Sequence, residues 1–339
     1  MSRLNPIWTA GRLNEALVGG QRFVVLSPDG RVLQPVELGA KILEAERRFG
    51  AGKANVHNPT PWSGDGCILL RPLSAWGDFD SGLLQLPPLL SLLALNPESH
   101  CWTHISPGKY ETVGPFLDYS HPLWEWLVRA ARGGLVRFIA TRFPFSWEAG
   151  ESHVRLDEKR IPLPELVHGS PRDVPAWLRN TLEDFDLCQV APNVKSPADA
   201  VAVSAGLLEL HDFATESHER AQSVEGQGRQ QAGDYWHAIH HRREPDPGNA
   251  KYWFRHVASH PIHGRLAKVA GSLASEQKAE IRTAVERLLP NGTWDSFAFV
   301  DFCQQAASDR DPELAWVARK LQFFEMTLLL TQSYEDATS

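Results

Sequence analysis

An α+β class, mainly α, is what this sequence predicts: a mixed α/β N-terminal half with a β-hairpin, and a C-terminal all-α helical bundle. Two observations carry that expectation. Before about residue 187, β-rich runs bounded by turn residues alternate with helical periodicity; after residue 196, every periodic segment repeats at helical spacing. Between them, Leu187 to Pro197 has two prolines and little periodicity, so the expected domains are 1–187 and 196–335.

The N-terminal half reads as follows. A short amphipathic helix is expected around Arg12 to Val18. Arg22 to Gln34 reads as a hairpin, because two β-rich runs flank Ser27-Pro28-Asp29-Gly30 and Pro and Gly preset a tight turn. Glu37 to Phe49 follows as a helix stopped by Gly50. The Gly- and Pro-rich stretch 50–82 holds one strand, Cys67 to Arg71, and two tryptophans, Trp62 and Trp76, that suit either a pocket wall or an irregular shell. Leu83 to Leu95 is apolar but too short to span a bilayer, so it reads as a core element. His100 and His104 would share a face only on a helix, which Pro97, Pro107 and Gly108 disfavour. A helix over His121–Arg132 ends at Gly133-Gly134, and a strand over Leu135–Arg142 follows. A polar hairpin around Ser152–Ile161 and a helix over Val174–Phe185 complete this half.

The second half is read as helices. Ser196 caps one that starts with Pro197, carries Asp199 in its first turn, and continues as a single helix to Gly226. On it His211, His218 and Glu225 recur every seven residues. A second helix runs from about Asp234 to Glu244, with His237, His240, His241 and Glu244 on one face. Pro245 to Gly248 breaks it, and Asn249 caps a third helix reaching His260. Lys268–Leu289, Trp294–Ala307 and Pro312–Tyr334 supply the rest.

Composition limits the function. A net charge of -7 argues against a nucleic-acid binder, which needs a basic stripe. The four cysteines form no CxxC pair, so they read as free, mostly buried thiols of a reducing compartment. With no apolar run long enough for a signal peptide or a membrane span, the expected location is cytoplasmic. Neither a phosphate-binding Gly-rich loop nor a nucleophile elbow occurs.

The densest stretch is Gly233 to Pro261, GDYWHAIHHRREPDPGNAKYWFRHVASHP. It resembles a group of bacterial proteins of no assigned activity that share the pattern YWHA-x-x-HRRE-x-D-x-x-NA-x-YWFR. Many also carry a WD-x-F-x-FVD segment like Trp294 to Asp301. The resemblance implies that the motif is a unit, and it brings no substrate or cofactor with it.

Three readings of the motif stand side by side. In the first, His237 and His241 grip a divalent metal (zinc, iron or manganese) from one helix face. His218 is then the third ligand, and Glu225 or Glu244 a fourth ligand or general base. His240 and Glu244 are the candidate acid–base groups, acting on a small molecule. In the second, Arg242, Arg243 and Arg255 bind an anionic small molecule beside Trp236, Tyr252 and Trp253. In the third, the motif is a packing signature of a non-enzymatic helical scaffold that meets a protein partner. Buried Trp and Tyr then draw hydrogen bonds from His, Arg and Glu. His168, like His57 and His153, reads as a satisfied or surface residue.

Overall fold

The computed structural model describes residues 9–18, 24–26, 32–33, 67–72, 86–99, 101–105, 107–141, 163–169, 174–257 and 259–339. Packing contacts divide the chain into two compact units. The first is Met1–Pro162 with Pro175–Leu178, and the second is Leu163–Val174 with Arg179–Ser339.

The first unit contains helices α1 (Ala10–Val18), α2 (Pro88–Ala94), α3 (Pro107–Val113) and α4 (Pro122–Arg132). Its strands are β1 (Val24–Leu26), β2 (Val32–Leu33), β3 (Cys67–Pro72), β4 (Trp102–Ile105) and β5 (Val136–Thr141). The sheet order is β2-β1-β4-β3-β5, with only β3 and β5 parallel. Helix α4 forms the core of this unit because its apolar side is aromatic and each indole finds an acceptor. Trp124 Nε1 donates to Leu92 O at 2.7 Å, and Trp126 Nε1 to Gly114 O at 2.8 Å. Buried Glu98 accepts from Trp124 N at 3.1 Å and lies 2.9 Å from His121 Nδ1, which ties the entry of α4 to the turn after α2.

The expected α+β class is corrected to a helical one. Helices make up 68% of the described residues, and every described element of the second unit is an α-helix or, at Pro290–Gly292, a 3-10 turn. The hairpin expected over Arg22–Gln34 does not stand as a defining element. Only segments of three and two residues pair there, and the turn between them lies outside the described residues. The physical reason is that strands this short bury too little surface to set a layer of their own. The helix at Glu37–Phe49, the hairpin near Ser152–Ile161, and Trp62, Trp76, His57, His100 and His153 also lie outside the described residues. His104 falls on strand β4, so the helical His pair is not formed.

α5 (Ala176–Glu183) runs from the first unit into the second. The second unit continues with α6 (Leu187–Val190), α7 (Pro197–Leu210), α8 (Ala214–Gln222), α9 (Ala232–Arg243), α10 (Pro247–Val257), α11 (His263–Ser275), α12 (Ala279–Glu286), α13 (Ser296–Ser308) and α14 (Pro312–Thr338). Ser196 caps α7 and Pro197 opens it, as the sequence indicates. Asp295 and Asp311 cap α13 and α14 in the same way. Among the described residues no helix is long and apolar enough to cross a membrane. Cys67, Cys101 and Cys303 are buried thiols, while Cys188 is exposed.

One expectation about this unit fails in an instructive way. The single helix from Ser196 to Gly226 is two helices, broken at residues 211–213, where Asp212 adopts a left-handed conformation with φ of 62°. His211 N and Phe213 N both return to Leu208 O at 3.1 Å, which closes the end of α7. The chain then turns into α8, so His218 does not share a line with His211. It sits on its own helix and packs against α9.

Helix α9 is the axis of the second unit, packed against α7, α8 and α10. All of its residues from Ala232 to Arg243 are buried, although its sequence is largely polar. Its two arginines are compensated by buried carboxylates, Arg242 by Glu325 and Arg243 by Glu209, while Trp236 Nε1, His237 Nδ1 and His240 Nδ1 are buried without a hydrogen-bond partner. On one side Trp236 lies against Gly206 of α7 so closely that a Cβ there would come within 2.3 Å of the indole. On another, Arg242 donates to Glu325 Oε2 at 2.5 Å and sits over the Phe299 ring at 4.6 Å. The histidines occupy a third.

Candidate functional site

Four elements meet on the histidine side of α9: the segment 163–169, the end of α7, α8, and the start of α10. From α9 itself come His237, His240 and His241. From α8 comes His218, whose Nε2 is 2.9 Å from His237 Nε2. Ligand atoms of His218, His237 and His241 all lie within 4.8 Å of one another. With metal–nitrogen bonds of about 2.0–2.1 Å, a 2.9 Å separation subtends about 90° at a shared cation. The two nitrogens share a hydrogen bond at this distance, and they are close enough to become neighbouring ligands once its proton is lost.

His241 is held from both ends. Its Nδ1 is 2.9 Å from Glu244 Oε2, and its Nε2 is 3.0 Å from Asn249 Nδ2. The amide nitrogen can only donate, so Nε2 carries the lone pair and Nδ1–H donates to Glu244. A carboxylate on one ring nitrogen with the lone pair on the other is the arrangement that orients a metal-binding histidine. Asn249 is free for this contact because Asp246 caps α10 in its place, accepting from Asn249 N at 3.0 Å, and Pro247 opens the helix. The expected cap residue thus occupies the His241 lone pair instead.

Trp253 of α10 stacks on His237, with ring centroids 4.0 Å apart and planes at 22°. His241 stacks on the same imidazole at 4.8 Å. Burial, followed by the neighbouring imidazoles, pushes the His237 pKa down to about 3. Burial also lowers His218 and His241 from their ordinary values. These rings are neutral at pH 7, the form in which imidazole binds a metal.

Deeper in, Glu209 of α7 and His168 of the 163–169 segment extend the cluster. Glu209 is fully buried. Burial alone would raise its carboxyl, but the Arg243 guanidinium at 2.7 Å and the nearby His240 outweigh it and hold the acid well below the usual carboxylate range. Arg243 Nη2 donates to Asp212, its Nε donates to Glu165 O at 3.1 Å, and its own carbonyl accepts from His168 N at 2.9 Å. One guanidinium thereby fastens the end of α9 to α7, the 211–213 turn and the 163–169 segment.

Placed against the sequence readings, the three candidate metal ligands His218, His237 and His241 are brought together. His240 and Glu244 join them, with His240 Nε2 3.8 Å from Glu244 Oε2. Glu225 stands exposed beyond the end of α8 and belongs to no metal-ligand grouping among the described residues. The anion cradle is not assembled. Arg242 faces α13 and α14, Arg243 is spent on Glu209 and Asp212, and Arg255 is exposed with its guanidinium 5.4 Å from the Phe297 ring centroid. Successive helix residues turn by about 100°, so adjacent arginines diverge. Trp253 belongs to the site, but as a wall beside His237. Arg242 does line a cavity of about 230 Å³ with Leu166, Pro247, Val300 and Cys303, on another side of α9 from the histidines.

Sequence reasoning missed His168, Glu209, Asp212 and Asn249. The signal for Glu209 was its isolation in the apolar run AVAVSAGLLELHD, where a lone carboxylate needs a partner. Nothing around His168 distinguished it.

No family model, curated protein or solved structure matches this chain.

Proposed function

We propose that this protein is a metal-dependent enzyme acting on a small molecule, with a divalent cation held by His218, His237 and His241. The observation that carries the reading is the convergence of three neutral imidazoles from two helices, with Nε2 atoms of His218 and His237 2.9 Å apart. A cation in this place would supply Lewis acidity and lower the pKa of a water. Glu244 is the group suited to take and return a proton. Its side chain is 56% exposed while its carboxylate reaches His241 Nδ1 at 2.9 Å, so it bridges the buried cluster and solvent. Trp253 fixes the His237 ring and excludes water from its face. The motif would then be a metal-site signature wherever its pattern recurs: His237, His241, Glu244, Asn249 and Trp253 meet at the cluster, while Trp236 and Arg242 pack.

The test is elemental analysis of the purified, untagged protein after incubation with zinc, iron or manganese salts. His237→Ala/His241→Ala is compared with wild type. His218→Ala, a change at a half-buried position, serves as the milder variant. At least one equivalent of metal in the wild type, lost in both folded variants, is expected. Wild type that takes up none of the three metals overturns the reading.

A further inference from the structure

Beside the His218–His237–His241 triad lies a second grouping that the single centre does not use. Ligand atoms of His168, Glu209 and His240 also lie within 4.8 Å of one another. His168 Nε2 is 3.4 Å from Glu209 Oε1, and His240 Nδ1 is 3.9 Å from Glu209 Oε2. Three buried atoms here have no hydrogen-bond partner: His168 Nδ1, Glu209 Oε2 and His240 Nδ1. A carboxylate oxygen and two ring nitrogens left this way in a fully enclosed place are costly unless something else satisfies them.

The two groupings adjoin. The His218 and His240 rings are 4.7 Å apart, and those of His240 and His241 5.2 Å. A third grouping joins one histidine of each triad to a carboxylate: His240, His241 and Glu244, again within 4.8 Å. Glu244 Oε2 reaches His241 Nδ1 at 2.9 Å and His240 Nε2 at 3.8 Å, so one carboxylate ties a histidine of one triad to a histidine of the other. The charges agree. Glu209 and Asp212 face the one guanidinium of Arg243, and Arg242 is spent on Glu325. Two carboxylates thus share one guanidinium, which leaves a negative charge that a cation would offset.

We infer that the site is dinuclear, with a second divalent cation held by His168, Glu209 and His240, and with Glu244 tying a histidine of each centre together. The inference rests on the first triad holding a cation. Paired cations about 3.5–4 Å apart act as a clamp on the attacking and leaving oxygens of a displacement, so a small phosphate or carboxylate ester is the substrate class that suits it.

The probe is Co²⁺, added to the full, metal-free chain in equilibrium dialysis, with bound metal per chain as the readout. Wild type, His168→Ala, His168→Gln and His237→Ala are compared, each with its circular dichroism recorded. Two equivalents in wild type and one in both His168 variants is the expected result. A single equivalent in wild type that survives in the His168 variants and disappears in His237→Ala overturns the second site and leaves the mononuclear reading standing. No bound cobalt in wild type overturns both. Should His168→Ala unfold, His168→Gln together with the magnetic coupling of bound Mn²⁺ pairs decides. Uncoupled manganese in wild type also overturns the dinuclear site.

Discussion

Replacing Arg243 with leucine should destabilise the helical unit more than any other single change in the motif. The side chain is fully buried and its guanidinium holds Glu209 and Asp212 while donating to Glu165 O. Arg243→Leu leaves a buried carboxylate uncompensated, a loss of about 3–5 kcal/mol for a broken buried pair. That is a large share of a typical net stability of about 5–15 kcal/mol. At roughly 2–4 °C per kcal/mol for a unit of this size, thermal melting of the metal-free protein should fall by about 6–20 °C. The effect should depend on pH with a definite sign. In the wild type the Glu209 carboxyl is held below its unfolded value, so its stabilisation is present above about pH 4.3 and is lost as pH falls through the depressed folded value. In Arg243→Leu only burial remains, which raises that carboxyl. The gap between the proteins should therefore be full at pH 7 and narrow toward pH 4. A double variant, Arg243→Leu/Glu209→Leu, should recover much of the loss, because apolar pairs often replace buried ion pairs at little cost. Circular dichroism melts in the presence of chelator measure all three proteins. A fall of less than about 2 °C in Arg243→Leu, below the shift from one kcal/mol, would refute the reasoning.

Other expectations follow from single contacts. Gly206→Ala should cost about 1–3 kcal/mol in a denaturation experiment, since the new methyl would come within 2.3 Å of the buried Trp236 ring and something must shift to admit it. Glu244→Gln should weaken metal binding about 10–100-fold by removing the carboxylate that orients His241, measured by competition with a chromophoric chelator. Asn249→Ala should leave that affinity the same or raise it, because a metal must displace the Asn249 N–H from the His241 lone pair. Burial lowers His260 to about 3 and His263 to about 4. Their folded pKa values lie below the unfolded value near 6.5, so the unfolded chain binds more protons between those limits and stability is lost as pH falls from about 6.5 to 4. His260→Leu should flatten that part of the melting profile, and an unchanged slope would show that the ring does not contribute.

The sequence disclosed part of this site and hid the rest for identifiable reasons. His237 and His241 stand four apart on an uninterrupted helix, so their common face follows from helical geometry alone. His218 was reached by a spacing argument on a continuous helix that the structure breaks. The break carries neither glycine nor proline. Asp212 takes the left-handed position, and its side chain is engaged by Arg243, a partner 31 residues away that local patterns do not contain. His168 joins the cluster from a segment without periodicity, through contacts with α9 that span 72 residues or more. The arginines misled because composition suggested a shared anion site, while their adjacency on α9 sends them to different neighbours. The N-terminal strands were overweighted for a related reason: β-rich runs fix an extended conformation but not the size of the sheet they join.

Burial of α9 on every side bears on which ion the site would accept. With Trp236 against Gly206, Arg242 on Glu325 and Arg243 on Glu209, the helix cannot rotate to adapt its histidines to an incoming cation. Selection would then fall to coordination geometry rather than to the general affinity order of the divalent ions. Tetrahedral zinc asks for nitrogen–nitrogen separations of about 3.3 Å given its bond lengths. The His218 and His237 nitrogens, hydrogen-bonded at 2.9 Å, would have to part by about 0.4 Å to meet that requirement, and with α9 pinned the shift would fall to α8.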